Sequence, residues 1–275
     1  MTEHPASLAA SQPRAQGNIR ASFDATNGAT RLVTLRQAGS SRALFPRTPS
    51  RNLQMVLTNT SGGVTGGDRF RTDIRVTDGA TVSVTTQAAE RAYRAQPGQT
   101  GRVDTALFIG NQSRLNWLPQ ETLLFDGCNL ARRLSIDVNG DGSVLMVEPL
   151  VFGRTAMGET VTQGIFDDQI DLRVEGARAF LDRVQLRRDF QRSLERPAVA
   201  DGAGAAALLL YFAGDAEARL PFVRELLPPL GGASLLTERL LVARLLAQDS
   251  FELRRSLVPL IELLHNDTIP RPWMI

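Results

Sequence analysis

The chain has 275 residues, of which 43% are hydrophobic and 22% are charged, and its formal net charge is +2. The length favours one domain, and no apolar run approaches the ~18 residues that a membrane-spanning helix needs. The first twenty residues lack the apolar core of a secretory signal, which takes about 7–15 residues. We therefore expect a cytoplasmic protein that does not interact with membranes.

The side chains present exclude several classes of catalytic and metal site. Cys128 is the one cysteine, and His4 and His265 are the two histidines, so no His/Cys metal cage can form. All 31 basic residues are arginine, which excludes lysine Schiff-base chemistry and the lysine of nucleotide-binding loops. The arginines form no concentrated basic stripe with aromatic residues, so nucleic-acid binding is not expected.

From about residue 53 to residue 147 the hydrophobic pattern has a period of two. In residues 69–76 (RFRTDIRV) apolar or β-branched residues alternate with charged ones, which places the two sets on opposite faces of a strand. Similar alternation occurs in residues 103–107, 134–138 and 170–174, and pairs such as Asp-Gly and Asn-Gly between these segments are typical of turns. The pattern predicts a mainly β chain and leaves a sandwich, a barrel and a solenoid open.

After about residue 200 the pattern changes. The apolar run 205–213 fits either a buried strand or a short helix. Apolar residues at three- and four-residue steps predict a helix that begins near Ser234. These residues are Leu236, Leu240, Ala243 and Leu246. A second helix is predicted from about Ser250 toward Val258, and Pro259 should end or kink it.

These patterns together predict how the chain is organised. Residues 1–17 are expected to form a disordered tail, and residues 18–275 are expected to form one domain. Within that domain we expect a β body over about residues 18–200 and a helical region over about residues 201–275.

Residues 137–148 (DVNGDGSVLMVE) match the spacing of a calcium-binding EF-hand loop. An EF-hand also needs flanking helices, whereas strand patterns lie on both sides of this segment and Pro149 follows it directly. A hairpin turn through residues 139–142 is therefore the preferred interpretation. A calcium-binding β module is kept as an alternative.

The glycine-rich segment 62–68 (GGVTGGD) lacks the lysine and the strand-to-helix setting of a phosphate-binding loop. Glycine pairs indicate positive φ angles or close backbone approach at this turn. Asp68 ends the segment, where it either holds the turn as an Asx-type residue or presents its carboxylate at a defined place.

Candidate catalytic groups are few. Neither histidine has a Ser or Cys partner nearby in sequence, and the paired acids Asp167 and Asp168 are equally typical of a solvated turn. Arginines gather at positions 183, 187, 188, 192 and 196, as on a solvated face or on a surface that docks an acidic partner. A β-rich hydrolase or isomerase that uses acids for proton transfer is kept as a second alternative.

Four segments occur in an order and spacing that resemble the UreD family, also called UreH, of urease accessory proteins. They are residues 59–68 (NTSGGVTGGD), 85–94 (TTQAAERAYR), 117–125 (WLPQETLLF) and 153–159 (GRTAMGE). With the leucine-rich C-terminal region and residues 270–273 (PRPW), the resemblance covers about residues 18–275.

The resemblance implies a mainly β fold, with stacked strands like those of a β-helix and two helices near the C-terminus. It also implies a cytoplasmic scaffold without enzyme activity that assists the delivery of nickel to urease. The implied partners are the urease apoprotein, the UreF protein and, through UreF, the GTPase UreG.

A chain without a His/Cys cluster cannot hold Ni²⁺ tightly, because oxygen donors bind this ion more weakly than imidazole and thiolate do. We therefore expect no tightly bound cofactor and a transient passage of Ni²⁺ along carboxylates, with Asp68, Glu148 and Glu159 as candidate ligands. The alternative is that each acid caps a turn or pairs with an arginine, for example Glu159 with Arg154. Where the family commonly has an acid before the tryptophan, this chain has Asn116, so no carboxylate is available there.

Overall fold

The computed structural model describes residues 12–48, 52–153 and 161–274. The protein is 55% strand and 13% helix, which confirms the mainly β prediction. In chain order its elements are β1 (Gln16–Thr26), β2 (Ala29–Gly39), β3 (Ser41–Leu44), β4 (Leu53–Asn59), β5 (Arg69–Val76), β6 (Thr81–Thr86), β7 (Glu90–Ala92), β8 (Gly101–Ile109), β9 (Arg114–Leu118), β10 (Thr122–Leu124), β11 (Cys128–Val138), β12 (Ser143–Phe152), β13 (Gln163–Val174), β14 (Ala177–Asp189), α1 (Phe190–Leu194), β15 (Ala205–Phe212), α2 (Ala216–Leu226), β16 (Gly231–Thr237), β17 (Leu240–Ala247), α3 (Ser250–Leu264) and a 3-10 turn (Arg271–Trp273).

The strands form two sheets that face one another. Sheet A has the order β14-β13-β11-β8-β5-β1-β2, and sheet B has the order β16-β17-β15-β12-β9-β6-β4-β3. The central strands of each sheet are parallel, and the chain alternates between the sheets from β4 to β13. The short strand β10 pairs with the end of β12 and with the short strand β7. These short strands form a third side of the stacked structure, next to the two sheets. Successive turns of the chain are thus stacked, as the family resemblance implied.

The period-two pattern decides which side chains enter the space between the sheets. In β5, Phe70, Ile74 and Val76 are buried while Arg69 and Arg71 are exposed. The same alternation in the other central strands builds one apolar core between the sheets. Burial of apolar surface at roughly 25 cal/mol per Å² is the main force that holds the two sheets together.

A second apolar core lies on the outer face of sheet B. Helix α3 contributes Leu253, Leu257 and Ile261, which pack with Leu145 and Leu209 of the sheet. The two helices α2 and α3 therefore cover the sheet near the C-terminus, as expected. Every helix within the described residues is too short or too polar to cross a membrane.

The region after residue 200 contains more strand than predicted. The run 205–213 is strand β15, and the helix predicted from Ser234 is wrong because this segment forms the antiparallel pair β16 and β17. In β17, Leu240 packs between the two sheets while Leu241 and Ala243 pack toward the helices. A strand buried on both faces is apolar without alternation, so its leucine spacing mimicked a helix.

Helix α3 confirms the second predicted helix but extends further. It begins at Ser250 and continues to Leu264, with Pro259 inside it, so this proline does not end the helix. The proline lacks one backbone N–H, and the apolar contacts of Leu257, Leu260 and Ile261 hold the helix on both sides of it.

The segment 139–142 is also different from the prediction. It joins β11 of sheet A to β12 of sheet B, so it is a corner between two sheets and not a hairpin turn. Gly140 adopts φ +59°, and a Cβ atom there would collide with the side chain of Asn111. Asp141 accepts a hydrogen bond of 2.5 Å from the backbone N–H of Gln112, and Glu148 lies further along β12. The loop therefore lacks the helical setting of an EF-hand.

A chain of buried polar groups fastens the end of α3 to sheet B. Asn116 donates to the Ser83 hydroxyl over 3.1 Å, and this hydroxyl lies 2.8 Å from His265 Nε2. His265 Nδ1 lies 2.7 Å from the carbonyl oxygen of Asp267. The arrangement fits a neutral imidazole that carries its proton on Nδ1 and accepts from Ser83. Burial lowers the pKa of His265 below its ordinary value.

The neutral His265 predicts a pH dependence of stability. The unfolded chain binds a proton on this imidazole near pH 6.5, whereas the folded chain does so only at lower pH. The contribution of His265 to the free energy of unfolding should therefore be undiminished above about pH 6.5 and fall below it, by at most about 1.4 kcal/mol per pH unit. Urea denaturation between pH 7.5 and 5.5 measures this slope.

Two histidine variants serve as controls for the pH measurement. His265→Asn should lose most of the slope because the titrating group is gone. His4→Gln should keep it because His265 is still present. Equal slopes in His265→Asn and the unmodified chain would contradict the assignment.

Candidate functional site

A cavity of about 240 Å³ lies between the two sheets, beside the short strands β7 and β10. Its wall is partly apolar, with Ile19, Leu57 and Leu134, and partly polar. The polar side chains include Thr72, Thr105, Thr122, Glu90, Glu148 and Asp168, with Arg132 among them. A cavity with several oxygen donors is unusual in an otherwise apolar interior, so it is the candidate functional site.

Three charged residues of this cavity occupy inward positions that are otherwise apolar. Arg132 lies between Leu130 and Leu134 in β11, and Asp168 lies between Phe166 and Ile170 in β13. Arg132 and Asp168 are paired directly across the parallel strands β11 and β13. The stacking of consecutive turns thus places these charges next to each other.

Glu148 completes this group from the opposite sheet. It follows Val144 and Met146 on the inward face of β12. Arg132 Nη1 lies 3.0 Å from Glu148 Oε2, and Arg132 Nη2 lies 2.5 Å from Asp168 Oδ2. We call Arg132, Glu148 and Asp168 the interior charge cluster. Their side chains are only 11%, 11% and 6% exposed, so one guanidinium bridges two buried carboxylates.

Neighbouring donors and acceptors hold the interior charge cluster in place. Trp117 Nε1 donates to Glu148 Oε1 over 2.9 Å, and Arg132 Nη1 donates to the Thr122 hydroxyl over 2.8 Å. Arg132 Nε donates to Asp168 Oδ1 over 3.2 Å. Every carboxylate oxygen of the cluster therefore accepts a hydrogen bond, which offsets part of the cost of burying the charges.

The electrostatics of the interior charge cluster follow from its burial. Burial raises the pKa of Glu148 above its ordinary value, although Arg132 acts in the opposite direction. Burial alone would lower the pKa of Arg132, but the negative charges of Asp168 and Glu148 raise it instead. Arg132 therefore keeps its positive charge inside the protein.

Glu90 contributes a further carboxylate to the cavity wall. Its two oxygens lie 3.3 and 3.1 Å from the amide nitrogen of Asn59, and one of them accepts from the backbone N–H of Arg91 over 3.1 Å. Burial raises the pKa of Glu90, and the charge of Asp68 acts in the same direction. Glu90 lies within the second of the family-like segments, yet its own role gave no signal in the sequence.

Asp68 is a buried residue that holds the glycine-rich turn. Its Oδ1 accepts from the backbone N–H of Ala15 and its Oδ2 from that of Thr65, both over 2.8 Å. The side chain thus caps the turn and also joins β5 to the segment before β1. This geometry corresponds to the structural interpretation, in which Asp68 holds the turn, although it accepts from a residue three positions earlier and not two positions later as in an Asx turn.

The remaining predicted site residues are placed as follows. Glu159 and its suggested partner Arg154 lie outside the described residues. Asn116 is buried on the side of β9 that faces α3, where it donates to Ser83, so it does not face the interior charge cluster. Within residues 12–48, 52–153 and 161–274, no three His, Cys, Asp or Glu side chains form a group that could hold a metal ion.

The paired acids Asp167 and Asp168 do not form an acid-base pair. They are neighbours in β13 and so point to opposite faces of sheet A. Asp167 pairs with Arg183 over 2.8 Å on the outer face, while Asp168 joins the interior charge cluster. The hydrogen bonds from Arg183 lower the pKa of Asp167, so it stays ionised and cannot serve as a general acid near neutral pH.

Known proteins resemble this chain over most of its length. The family profile described as UreD urease accessory protein matches residues 15–274. The chain belongs to the UreD family. It is 53% identical to the urease accessory protein UreD of Ruegeria pomeroyi over 244 residues, which cover 89% of this chain and 95% of that protein. It is 47% identical to UreD of Roseobacter denitrificans, with 96% of each chain covered.

More distant relatives carry the same name. UreD of Rhodopseudomonas palustris strain HaA2 is 40% identical over 263 residues, which cover 95% of this chain and 94% of that protein. The resemblance stated from four short segments is thus confirmed over most of the chain. The protein is a urease accessory protein of the UreD type.

The capping role of Asp68 in this UreD chain predicts a loss of stability in variants. Asp68→Ala leaves two partly buried backbone N–H groups without this acceptor and should lower the free energy of unfolding by about 1–3 kcal/mol. Asp68→Asn keeps one acceptor oxygen and should cost less. Chemical denaturation measures both.

Asp104→Ala is the matched control, because Asp104 is exposed on the neighbouring strand β8 and its loss should change stability by at most about 0.5 kcal/mol. If the free energy of unfolding of Asp68→Ala equals that of Asp104→Ala, Asp68 does not hold the turn.

Proposed function

We propose that this UreD protein is a non-catalytic scaffold and chaperone for urease maturation in the cytoplasm. In this proposal it binds the urease apoprotein on one side and UreF on the other, with UreG joining through UreF. It assists the insertion of nickel into the urease active site by letting the ion pass along carboxylates. The observation that carries the proposal is the cavity between the sheets, whose wall holds several buried oxygen donors.

The chemistry of the oxygen donors favours transient binding of nickel over tight binding. Carboxylate and hydroxyl oxygens of Glu90, Glu148, Asp168 and Thr122 border the cavity. Such oxygens bind Ni²⁺ more weakly than imidazole or thiolate does, and they release it faster. Cys128 is unsuitable as a thiolate ligand, because burial raises its pKa to about 12. Oxygen ligation therefore suits a protein that hands nickel on.

The three carboxylates first selected from the sequence have different places in this proposal. Glu148 borders the cavity directly. Asp68 is close enough to Glu90 for its charge to affect the pKa of that residue, so it adds negative charge beside the cavity. Glu159 is retained as a proposed ligand on the strength of the family-like segment 153–159.

The surface of the C-terminal layer supports the scaffold part of the proposal. Several large apolar side chains are exposed there, namely Phe222, Leu226, Leu230, Leu236 and Phe251. Exposed apolar side chains in such numbers favour association with another protein. They suit a chain that works in a complex with UreF and the urease apoprotein.

Nickel loading of urease in cells tests the carboxylate route. Urease and its accessory proteins are produced with variants of this chain in limiting nickel. Glu148→Ala and Glu159→Ala should lower the nickel content and the activity of urease several-fold, because each removes an oxygen ligand. Co-purification of UreF and the urease apoprotein with these variants should be unchanged.

The matched control for this experiment is Glu225→Ala, which removes an exposed carboxylate from α2. If urease contains as much nickel with Glu148→Ala and Glu159→Ala as with Glu225→Ala, nickel does not pass along Glu148 and Glu159. Normal urease loading in cells that lack this chain altogether would overturn the wider proposal.

A further inference from the structure

The interior charge cluster has its own cation in place. Arg132 donates to both carboxylates, and Trp117 donates to the remaining oxygen of Glu148. A metal ion that coordinates Glu148 and Asp168 needs lone pairs on the oxygens that now face the guanidinium. The guanidinium and the metal ion therefore compete for one position between the same two carboxylates.

The position of Arg132 follows from the register of the strands. Arg132 in β11 is directly opposite Asp168 in β13, and Glu148 reaches the same guanidinium from the other sheet. A single positive charge faces two negative charges, so the cluster retains an excess of negative charge. A divalent cation in place of the guanidinium would neutralise both carboxylates.

A second observation points to an occupant of the cavity. The side-chain nitrogen of Gln120 is buried and borders the same cavity, and no hydrogen-bond acceptor for it lies within the described residues. Its oxygen accepts from Arg254 over 2.7 Å, which fixes the orientation of the amide. A buried N–H donor without an acceptor costs about 1–3 kcal/mol, so the group fits an oxygen of a ligand or of a metal-bound water.

We propose that Arg132 is an internal counter-ion that keeps Glu148 and Asp168 from holding a divalent cation, and that its displacement opens a two-carboxylate site in the cavity. This inference rests on the proposed passage of nickel through the interior. It explains how buried acids can border a nickel route without trapping the ion. The metal gains access only while the guanidinium has moved aside, and the return of the guanidinium releases it.

Nickel binding to the purified full chain tests this role. Arg132→Met removes the positive charge and keeps an unbranched, apolar side chain, whereas Arg132→Lys keeps the charge. With NiCl₂ as the probe, equilibrium dialysis should show that Arg132→Met binds Ni²⁺ about tenfold or more tightly than the unmodified chain and Arg132→Lys do. Adding Glu148→Gln or Asp168→Asn to Arg132→Met should abolish the gain.

Stability provides a second readout for the same variants. Arg132→Met leaves two carboxylates facing each other, so its Tm should be low without metal and should rise in Ni²⁺. If Arg132→Met is unfolded without metal, Ni²⁺ should restore its circular dichroism spectrum. The inference is overturned if Ni²⁺ neither binds to nor stabilises this variant, or if the effect persists after Glu148 and Asp168 are both replaced.

The counter-ion role and the nickel route can fail separately. If Arg132→Met binds nickel tightly in vitro and lowers the nickel loading of urease in cells, both the counter-ion role and the interior nickel route are supported. If Arg132→Met binds nickel tightly in vitro but urease in cells is loaded normally, the counter-ion role is supported and the interior route is overturned. A variant that binds no extra nickel overturns the counter-ion role, while Glu148→Ala and Glu159→Ala still decide the route.

Discussion

The parallel stacking of successive turns is the constraint on which the interior of this protein depends. Each turn gives one strand to each sheet, so a side chain on the inward face is neighboured by the corresponding positions of the turns above and below. Apolar residues occupy most of these positions and form the core. Where Arg132 and Asp168 interrupt the apolar rows, the same register forces the two charges together.

The inward face therefore carries a small cluster of buried charges within the apolar core that stabilises the fold. The guanidinium of Arg132 and the indole N–H of Trp117 compensate the burial of Glu148 and Asp168, while the Thr122 hydroxyl accepts a further hydrogen bond from Arg132. Without such compensation two buried carboxylates in this setting would repel each other. In the proposed function such oxygen donors would bind a metal ion weakly and release it.

The sequence predicts part of this arrangement, and the reasons for the misses are physical. Period-two alternation identified strands such as β5 and the inward face of β11, because one face of each is polar. It misassigned β17, whose two faces are both buried, so that no alternation exists. The hydrophobic pattern did not decide between a sandwich, a barrel and stacked turns, because the loops between strands differ in length and hide the repeat. The stacked arrangement was predicted from the resemblance to the family.

The candidate site was only partly visible for a similar reason. Glu148 was selected from the sequence, and Asp168 was considered only with Asp167 as a pair of acids, whereas Arg132 and Glu90 were not considered. Extending the inward positions of β11 and β13 backward from Leu134 and Ile170 would have shown that each row contains one charged residue. Their contact with Glu148 depends on register between distant segments, which a single sequence does not show.

The position of nickel inside the protein tests this account most directly. Crystals of the full chain carrying Arg132→Met, soaked in NiCl₂, can be measured at the nickel absorption edge. The account predicts an anomalous peak in the cavity, bounded by carboxylate oxygens of Glu148 and Asp168. Nickel found only on the outer surface, with both carboxylates ordered and free of metal, would contradict it.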